Sequence, residues 1–524
     1  MKECVDFKME KSRTEYSLIN IFTGILGDII NTIVGFACRV VFVRVLGAEY
    51  LGVRGLFSNI LSVLSLAELG IGSAIIYALY KPLAEKDNNK IAAIMQYYKK
   101  AYRIIALVVA VIGVSVIPFL SQIVRVKQDI KESIYLLYSL YLISTVTSYF
   151  FSYRAALLTA SQRQYIVQGY NYVVTIIQSI LQIVFLVVTH EYITYLIIQI
   201  ISGLAYNLWI ASKVGKDYPF ITDRVDSLSK NEKHSLFINI RALAINKVSG
   251  VLVNSTDNII MTYFNGLSTV GLASNYTILS SMVDGVVGLV FNALPGSVGN
   301  LNATASEEER YSFFNVLNLM NFWLYGWGAI GIALVSTDLV NLLYGPEYEM
   351  PFRIPLMIAI NFYSIGMLHA VYTYKSTLGL FRYGQIFLSL TGFLNIVLDI
   401  IFGKLLGTFG IFLATFIARI TTNLWYEPYA VYRYGLNKSP VIYWKRYLRF
   451  LFILGIAGGI SYYLCSLCKF SYLTNAILKF IICSVVPNGV FLIFSHKTPE
   501  YAYLKTIMNN IKRIVLKTIR KQDS

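Results

Sequence analysis

The chain has 524 residues, of which 56% are hydrophobic and only 14% charged, with a mean hydropathy of +0.59. A soluble domain would carry about a quarter charged residues, so this composition excludes one. The net charge is +17, but the basic residues lie in alternate loops and in the tail, a positive-inside distribution and not a nucleic-acid surface.

In chain order, the polar start "MKECVDFKMEKSRTEY" leads into an apolar run from Leu18. That run is too long for a signal-peptide core and lacks a small-residue cleavage site, so it reads as a retained membrane helix. Apolar spans fall at 18–45, 50–80, 103–121, 133–153, 165–189, 191–212, 240–264, 268–295, 311–336, 352–378, 383–403, 407–432, 447–468 and 472–495. Each is long enough to cross a bilayer as a helix. The expectation is an all-α polytopic membrane protein of about fourteen transmembrane helices. The basic segments "KPLAEKDNNK", "KVGKDYPFITDRVDSLSKNEKHS", "YRYGLNKSPVIYWKRYLR" and the tail then share one side, with both termini cytoplasmic.

The expected domains are a six-helix lobe at 1–213, a cytoplasmic linker at 214–239 and a second six-helix lobe at 240–434. Helices thirteen and fourteen occupy 435–496, and 497–524 form a basic tail. From Tyr501, apolar residues at helical spacing face lysines and arginines, the pattern of an amphipathic helix on the inner leaflet.

One internal echo supports two parallel halves. "VLGAEYLGVRGLFSNILSVLS" compares with "FNGLSTVGLASNYTILSSMVD", and a shift of 219 places Gly52 on Gly271, Phe57 on Tyr276 and Ser62 on Ser281. Parallel repeats about an axis along the membrane normal are one of the designs transporters use.

Polar residues inside the spans point to function, because ionisable groups in hydrocarbon are expensive and face a bundle interior or a watery cavity. At 100° per residue, one face of the first span gathers Gly24, Gly27, Asp28, Asn31, Gly35, Cys38 and Arg39. Arg54, Ser58, Ser62, Ser65, Glu68 and Gly72 share a face in the second, treated as one continuous helix. Lys247, Gly250, Asn254, Asp257 and Asn258 do so in the seventh, and Thr415, Arg419, Thr422 and Asn423 in the twelfth. Both halves supply cations, so Arg39, Arg54, Lys247 and Arg419 are the candidate substrate-binding residues of a positively biased cavity. Asp28, Glu68, Asp257 and Asp284 are candidates for ion coupling or for ion pairs with those cations. The small and polar residues also suit helix packing, and that alternative stays open. Cys4, Cys38, Cys465, Cys468 and Cys483, with four dispersed histidines, give no four-ligand spacing, so neither metal nor cofactor is expected.

The first hairpin, "RVLGAEYLGVRGLFSNILSVLSLAELGIGSAI", resembles the polysaccharide flippases of the multidrug/oligosaccharidyl-lipid/polysaccharide exporter superfamily. Arg44, Leu46-Gly47, Tyr50 and Gly52 carry that resemblance. "STDNIIMTYFNGLSTVGLASNY" matches again through Asp257, Gly266, Val270-Gly271 and Tyr276. The resemblance implies a bacterial cytoplasmic-membrane protein, not an enzyme. It would flip undecaprenyl-diphosphate-linked oligosaccharide repeat units to the outer leaflet for capsule, O-antigen or exopolysaccharide assembly. Membrane lipids, a polysaccharide polymerase and glycosyltransferases are the implied partners. Arg54, just after the motif glycine, replaces the apolar residue usual there. Two other readings share the architecture: a peptidoglycan lipid-precursor flippase and a cation-coupled multidrug exporter. A polyprenyl-linked glycosyltransferase or polymerase is the alternative of a different class; its outside loop "STDLVNLLYGPEYEMPFR" is short for that chemistry.

Overall fold

The computed structural model describes residues 13–68, 71–123, 130–161, 163–223, 225–230, 232–234, 256–292, 294–380, 383–506 and 509. Lys247 lies outside them, as do the side chain of Asp28, residues 507–508 and the tail from 510 onward. Every regular element among the described residues is helical. Nine of their helices are long and apolar enough to cross a membrane, and the protein is a multi-pass membrane protein.

The chain divides into two compact units, Met1–Gly271 and Leu272–Ser524. The first unit contains α1 (Arg13–Leu46), α2 (Ala48–Leu64), α3 (Ile71–Glu85), α4 (Asn88–Val116), α5 (Ile134–Ala160), α6 (Gln164–Thr189), α7 (Tyr192–Asp217) and α8 (256–265). Asp87 starts α4 by accepting the Lys90 amide, a capping bond that satisfies one orphan donor. After α7 the linker is strapped back onto the unit. Arg163 pairs with Asp217 at 2.8 Å, Gln96 donates to the Asp223 carbonyl at 2.7 Å, and Lys90 pairs with Glu232.

The span expected at 50–80 is interrupted. α2 ends in a 3₁₀ turn at Ser65–Glu68, and α3 begins only at Ile71. Ser62 donates to the Ser58 carbonyl and Ser65 to the Ser62 carbonyl, side-chain bonds that compete with the helix ladder just before the break. Arg54 and Glu68 therefore do not lie along one continuous helical face.

The 219-residue echo is physical. Gly47 and Gly266 occupy equivalent positions, both with positive φ (92° and 85°), and each amide donates to a carbonyl four residues back, Val43 and Thr262. Both sit in positive-φ backbone that glycine adopts without a Cβ penalty. Gly52 and Gly271 then mark a reciprocal close approach. A Cβ on Gly52 would lie 2.0 Å from the Leu267 carbonyl oxygen, and one on Gly271 would lie 2.0 Å from that of Ala48. Ala48 and Leu267 are themselves echo partners, so the two segments cross each other symmetrically within the N-terminal unit.

The second unit continues α9 (Leu267–Asn292) and adds α10 (Pro295–Thr304), α11 (Glu307–Leu343), α12 (Arg353–Gly366) and α13 (His369–Thr377). It closes with α14 (Gln385–Thr421), α15 (Asn423–Ala430), α16 (Pro440–Ser466) and α17 (Tyr472–Ser495). A capping box between Ser306 and Glu309 opens α11, with Glu307 and Glu308 in the first turn favoured by the helix dipole. α14 is a hairpin: the chain leaves helical geometry at Gly407 (φ 62°, ψ −143°). Thr391 bonds Thr422 at 2.6 Å and Asn395 bonds Thr415 at 3.4 Å, contacts that only antiparallel limbs permit. The reversal falls between the apolar spans read at 383–403 and 407–432. Residues 499–506 form a short helix held by the Arg446–Glu500 pair (2.8 Å) and the Trp323–Tyr501 stack.

Candidate functional site

In the N-terminal unit the feature that organises polar chemistry is Arg54. It is partly buried, and its Nη1 donates to the Tyr195 hydroxyl at 3.1 Å. The surrounding wall is aromatic. Tyr195 stacks on Tyr192 at 6.0 Å, Phe42 meets both rings edge-on, Tyr50 meets Tyr192, and Tyr141 and Tyr192 share a hydroxyl bond of 2.7 Å. Gln182 fixes the Tyr195 backbone through its carbonyl, at 3.2 Å. Among the described residues no carboxylate pairs with Arg54. A guanidinium has five donors in a planar fork, and this pocket offers it phenols but no counter-charge.

The motif residues around it have structural duties. Tyr50 donates to Glu132 and receives the Lys131 amide, tying the 131–132 loop to the start of α2. Arg44 is exposed in the last turn of α1. Arg39 is partly buried on α1, and Asp257 is partly buried on α8. Glu68 accepts from Tyr102 at 3.1 Å within the α2–α3 break.

In the C-terminal unit, Arg419 is only 8% exposed and its Nη1 reaches Asn361 Oδ1 at 3.4 Å. Asn361 is itself fixed by donating to the Phe412 carbonyl at 2.8 Å. Asp284 accepts the Tyr325 hydroxyl at 2.9 Å, with His369 Nε2 at 3.9 Å from the same oxygen. Lys375 and Glu427 form a buried ion pair at 2.6 Å.

Two features escaped the sequence reading. Asp399 and Asn395 are both fully buried, one turn apart on the first limb of α14, and Asn395 donates to Thr415 of the second limb at 3.4 Å. Asn395 Oδ1 is buried without a hydrogen-bond partner among the described residues. A carboxylate, an amide oxygen and a hydroxyl are hard donors of the kind that hold a small cation. The signal was a lone Asp in an apolar run with Asn four residues before it. The second feature is His369, one of four histidines without mutual spacing, whose partners come from other helices.

No protein-family model and no curated relative matches the chain. Solved structures do. The lipid II flippase MurJ in an inward closed conformation superposes with a TM-score of 0.66 at 16% identity, over 92% of this chain and 99% of that one. An inward-facing multidrug resistance MATE family transporter of the MOP superfamily gives 0.56 at 15% identity, over 76% and 94%. The Vibrio cholerae MATE transporter VcmN gives 0.52 at 13%, over 81% and 99%. The chain shares the fold of these solved structures.

In this fold the C-terminal unit also carries an apolar groove of about 540 Å³, bounded by α11, α12, the second limb of α14 and α16. Ile330, Leu356, Ile360, Phe416 and Leu451 line it. Gly455, Gly458 and Gly459 keep the α16 side shallow. The groove suits a lipid chain, whereas the Arg54 and Arg419 sites suit an anion.

Proposed function

We propose that the protein flips polyprenyl-diphosphate-linked oligosaccharide repeat units from the inner to the outer leaflet of a bacterial cytoplasmic membrane. Arg54 carries the reading. A cation held among tyrosines, without an acidic partner among the described residues, is costly in a membrane span unless a ligand supplies the negative charge. A diphosphate does so, and the planar guanidinium matches its oxygens. An exporter of organic cations would favour the opposite polarity.

The physics asks little of the protein beyond a polar path. A diphosphate with sugars cannot cross hydrocarbon unaided, whereas a polyprenyl tail is already at home there. The headgroup meets Arg54 of the first unit and Arg419 of the second in turn, while the tail stays in lipid or rests in the apolar groove. No covalent bond changes. Glycosyltransferases supply the substrate and a polymerase consumes it.

A second reading differs only in the glycan. The likeness to a lipid II flippase across 92% of the chain favours a peptidoglycan precursor carried on the same diphosphate. One experiment separates them. Replacing Arg54 and Arg419 together with Ala, at normal membrane abundance, stops translocation and accumulates the lipid-linked substrate on the inner leaflet. Accumulation of a repeat unit supports the first reading, and accumulation of the peptidoglycan precursor supports the second. Unchanged export with both arginines gone contradicts the cationic site.

A further inference from the structure

Asp284, Tyr325 and His369 reach one another from three elements of the C-terminal unit, α9, α11 and α13. Tyr325 stands at the midpoint of α11 (Glu307–Leu343), roughly 27 Å from either end at 1.5 Å per residue, so the cluster lies deep in the membrane-spanning bundle. It also sits where a span is broken. α12 stops at Gly366 and α13 starts at His369, and the Gly366 carbonyl accepts from Asn321 Nδ2 at 2.9 Å. The Tyr325 ring lies against Gly366 so closely that a Cβ there would be 2.0 Å from it. Irregular backbone at membrane depth is tolerated where protein encloses it or where it lines a polar cavity, and broken helices often mark ion sites.

The geometry at the break is specific. The His369 ring stacks on Tyr325 at 5.2 Å with 10° between planes, and Phe291 covers it at 5.4 Å. Asp284 Oδ1 receives the Tyr325 hydroxyl at 2.9 Å and lies 3.9 Å from His369 Nε2. The Asp284 side chain is 48% exposed and that of His369 29%, so the carboxylate side of the cluster is open. The ionisable groups facing His369 are Asp284 from α9 and Tyr325 from α11; α10 has none in "PGSVGNLNAT". Further along α13, Lys375 is already paired with Glu427.

We propose that these three residues form a proton-binding site that couples transport to a proton gradient. His369 Nε2 takes a proton from cavity water on one side of the membrane and returns it to water on the other. The Asp284 carboxylate neutralises the imidazolium while it exists, and the Tyr325 hydroxyl holds that carboxylate in place. Histidine is the side chain whose charge changes most readily near neutral pH. The site rests on this geometry, whereas its coupling role rests on the flippase reading.

Two measurements keep those claims apart. The first uses full-length protein in nanodiscs with nitrogen-labelled histidine, the His369 signal being identified by its loss in His369→Gln. The site predicts that this signal passes between neutral and charged forms from pH 5 to 9. Asp284→Asn, which removes the counter-charge, displaces the midpoint to lower pH by about one unit, a tenfold change in proton affinity. Tyr325→Phe keeps the ring stack but frees the Asp284 carboxylate, and it displaces the midpoint in the same direction by less than Asp284→Asn does. A His369 signal that never titrates, or one indifferent to Asp284→Asn, overturns the site. The second uses phosphatidylethanolamine–phosphatidylglycerol vesicles carrying a fluorescent undecaprenyl-diphosphate disaccharide, with leaflet exchange read by quenching. A one-unit pH gradient speeds exchange by wild-type protein about tenfold, and His369→Gln and Asp284→Asn remove that dependence. Wild-type exchange that ignores the gradient overturns the coupling. No exchange under any gradient overturns the flippase reading, and the histidine titration still decides the site.

Discussion

Arg54 shows what a single residue can reveal before its surroundings are known. As a charge inside an apolar run it stood out in the sequence, since a membrane span does not retain an arginine without a reason. Its partner did not, because Tyr195 lies 141 residues away on another helix and tyrosines are common in this chain. The interaction predicts an ordered set of variants. Arg54→Ala lowers flipping of a polyprenyl-diphosphate probe about ten- to a hundredfold, the scale of a lost charge-assisted hydrogen bond. Arg54→Lys recovers part of that, because an ammonium keeps the charge but loses the planar fork. Tyr195→Phe has the smallest effect, since it removes an orienting hydroxyl and leaves the charge. Equal losses in all three, measured as initial rates in vesicles at matched protein density, would mean that packing and not charge is at stake.

At the scale of elements, the repeated glycines connect sequence to packing. The echo of Gly52 in Gly271 was visible as spacing, and its cause is a crossing at which neither position admits a Cβ. Gly52→Val should therefore force the Ala48–Gly52 and Leu267–Gly271 segments apart, costing about 1–3 kcal/mol by overpacking. Gly55→Ala is the control: its Cβ would meet Val270 at 3.4 Å, an ordinary contact, and thermal unfolding in detergent should scarcely change. The buried pair Lys375–Glu427 makes a second prediction. Glu427→Gln strands a buried ammonium and destabilises by about 3–5 kcal/mol, whereas the same change in a Lys375→Met background costs much less. Additive losses would show that the two side chains act independently.

The breaks inside elements were the least legible features. Periodicity carried the span at 50–80 straight through Ser65–Glu68, because a serine, a leucine and an alanine neither interrupt an apolar pattern nor announce a 3₁₀ turn. The same is true at Gly366–His369, where Asn321, which bonds the Gly366 carbonyl, and the Tyr325 ring, which packs on Gly366, come from another helix. By contrast, the reversal at Gly407 was foreshadowed by the boundary between two apolar runs. Asp399 was missed for a related reason. Shared polar faces single out spans with several polar groups, and Thr415, which accepts from Asn395 one turn before Asp399, lies on the opposite limb of the hairpin.

For the whole molecule, hydropathy and charge distribution led to the all-helical membrane fold, and the likeness to MurJ over 92% of the chain agrees with it. The substrate is a property of sites within that fold, and the proposed diphosphate rests on the arginine chemistry of those sites. The most direct test is leaflet exchange in vesicles that hold the purified full-length protein and a fluorescent undecaprenyl-diphosphate oligosaccharide. The account predicts exchange with wild-type protein, its loss when Arg54 and Arg419 are both Ala, and no exchange of an uncharged polyprenol-linked analogue above the protein-free rate. Equal exchange of the diphosphate probe by wild-type and doubly substituted protein would contradict it.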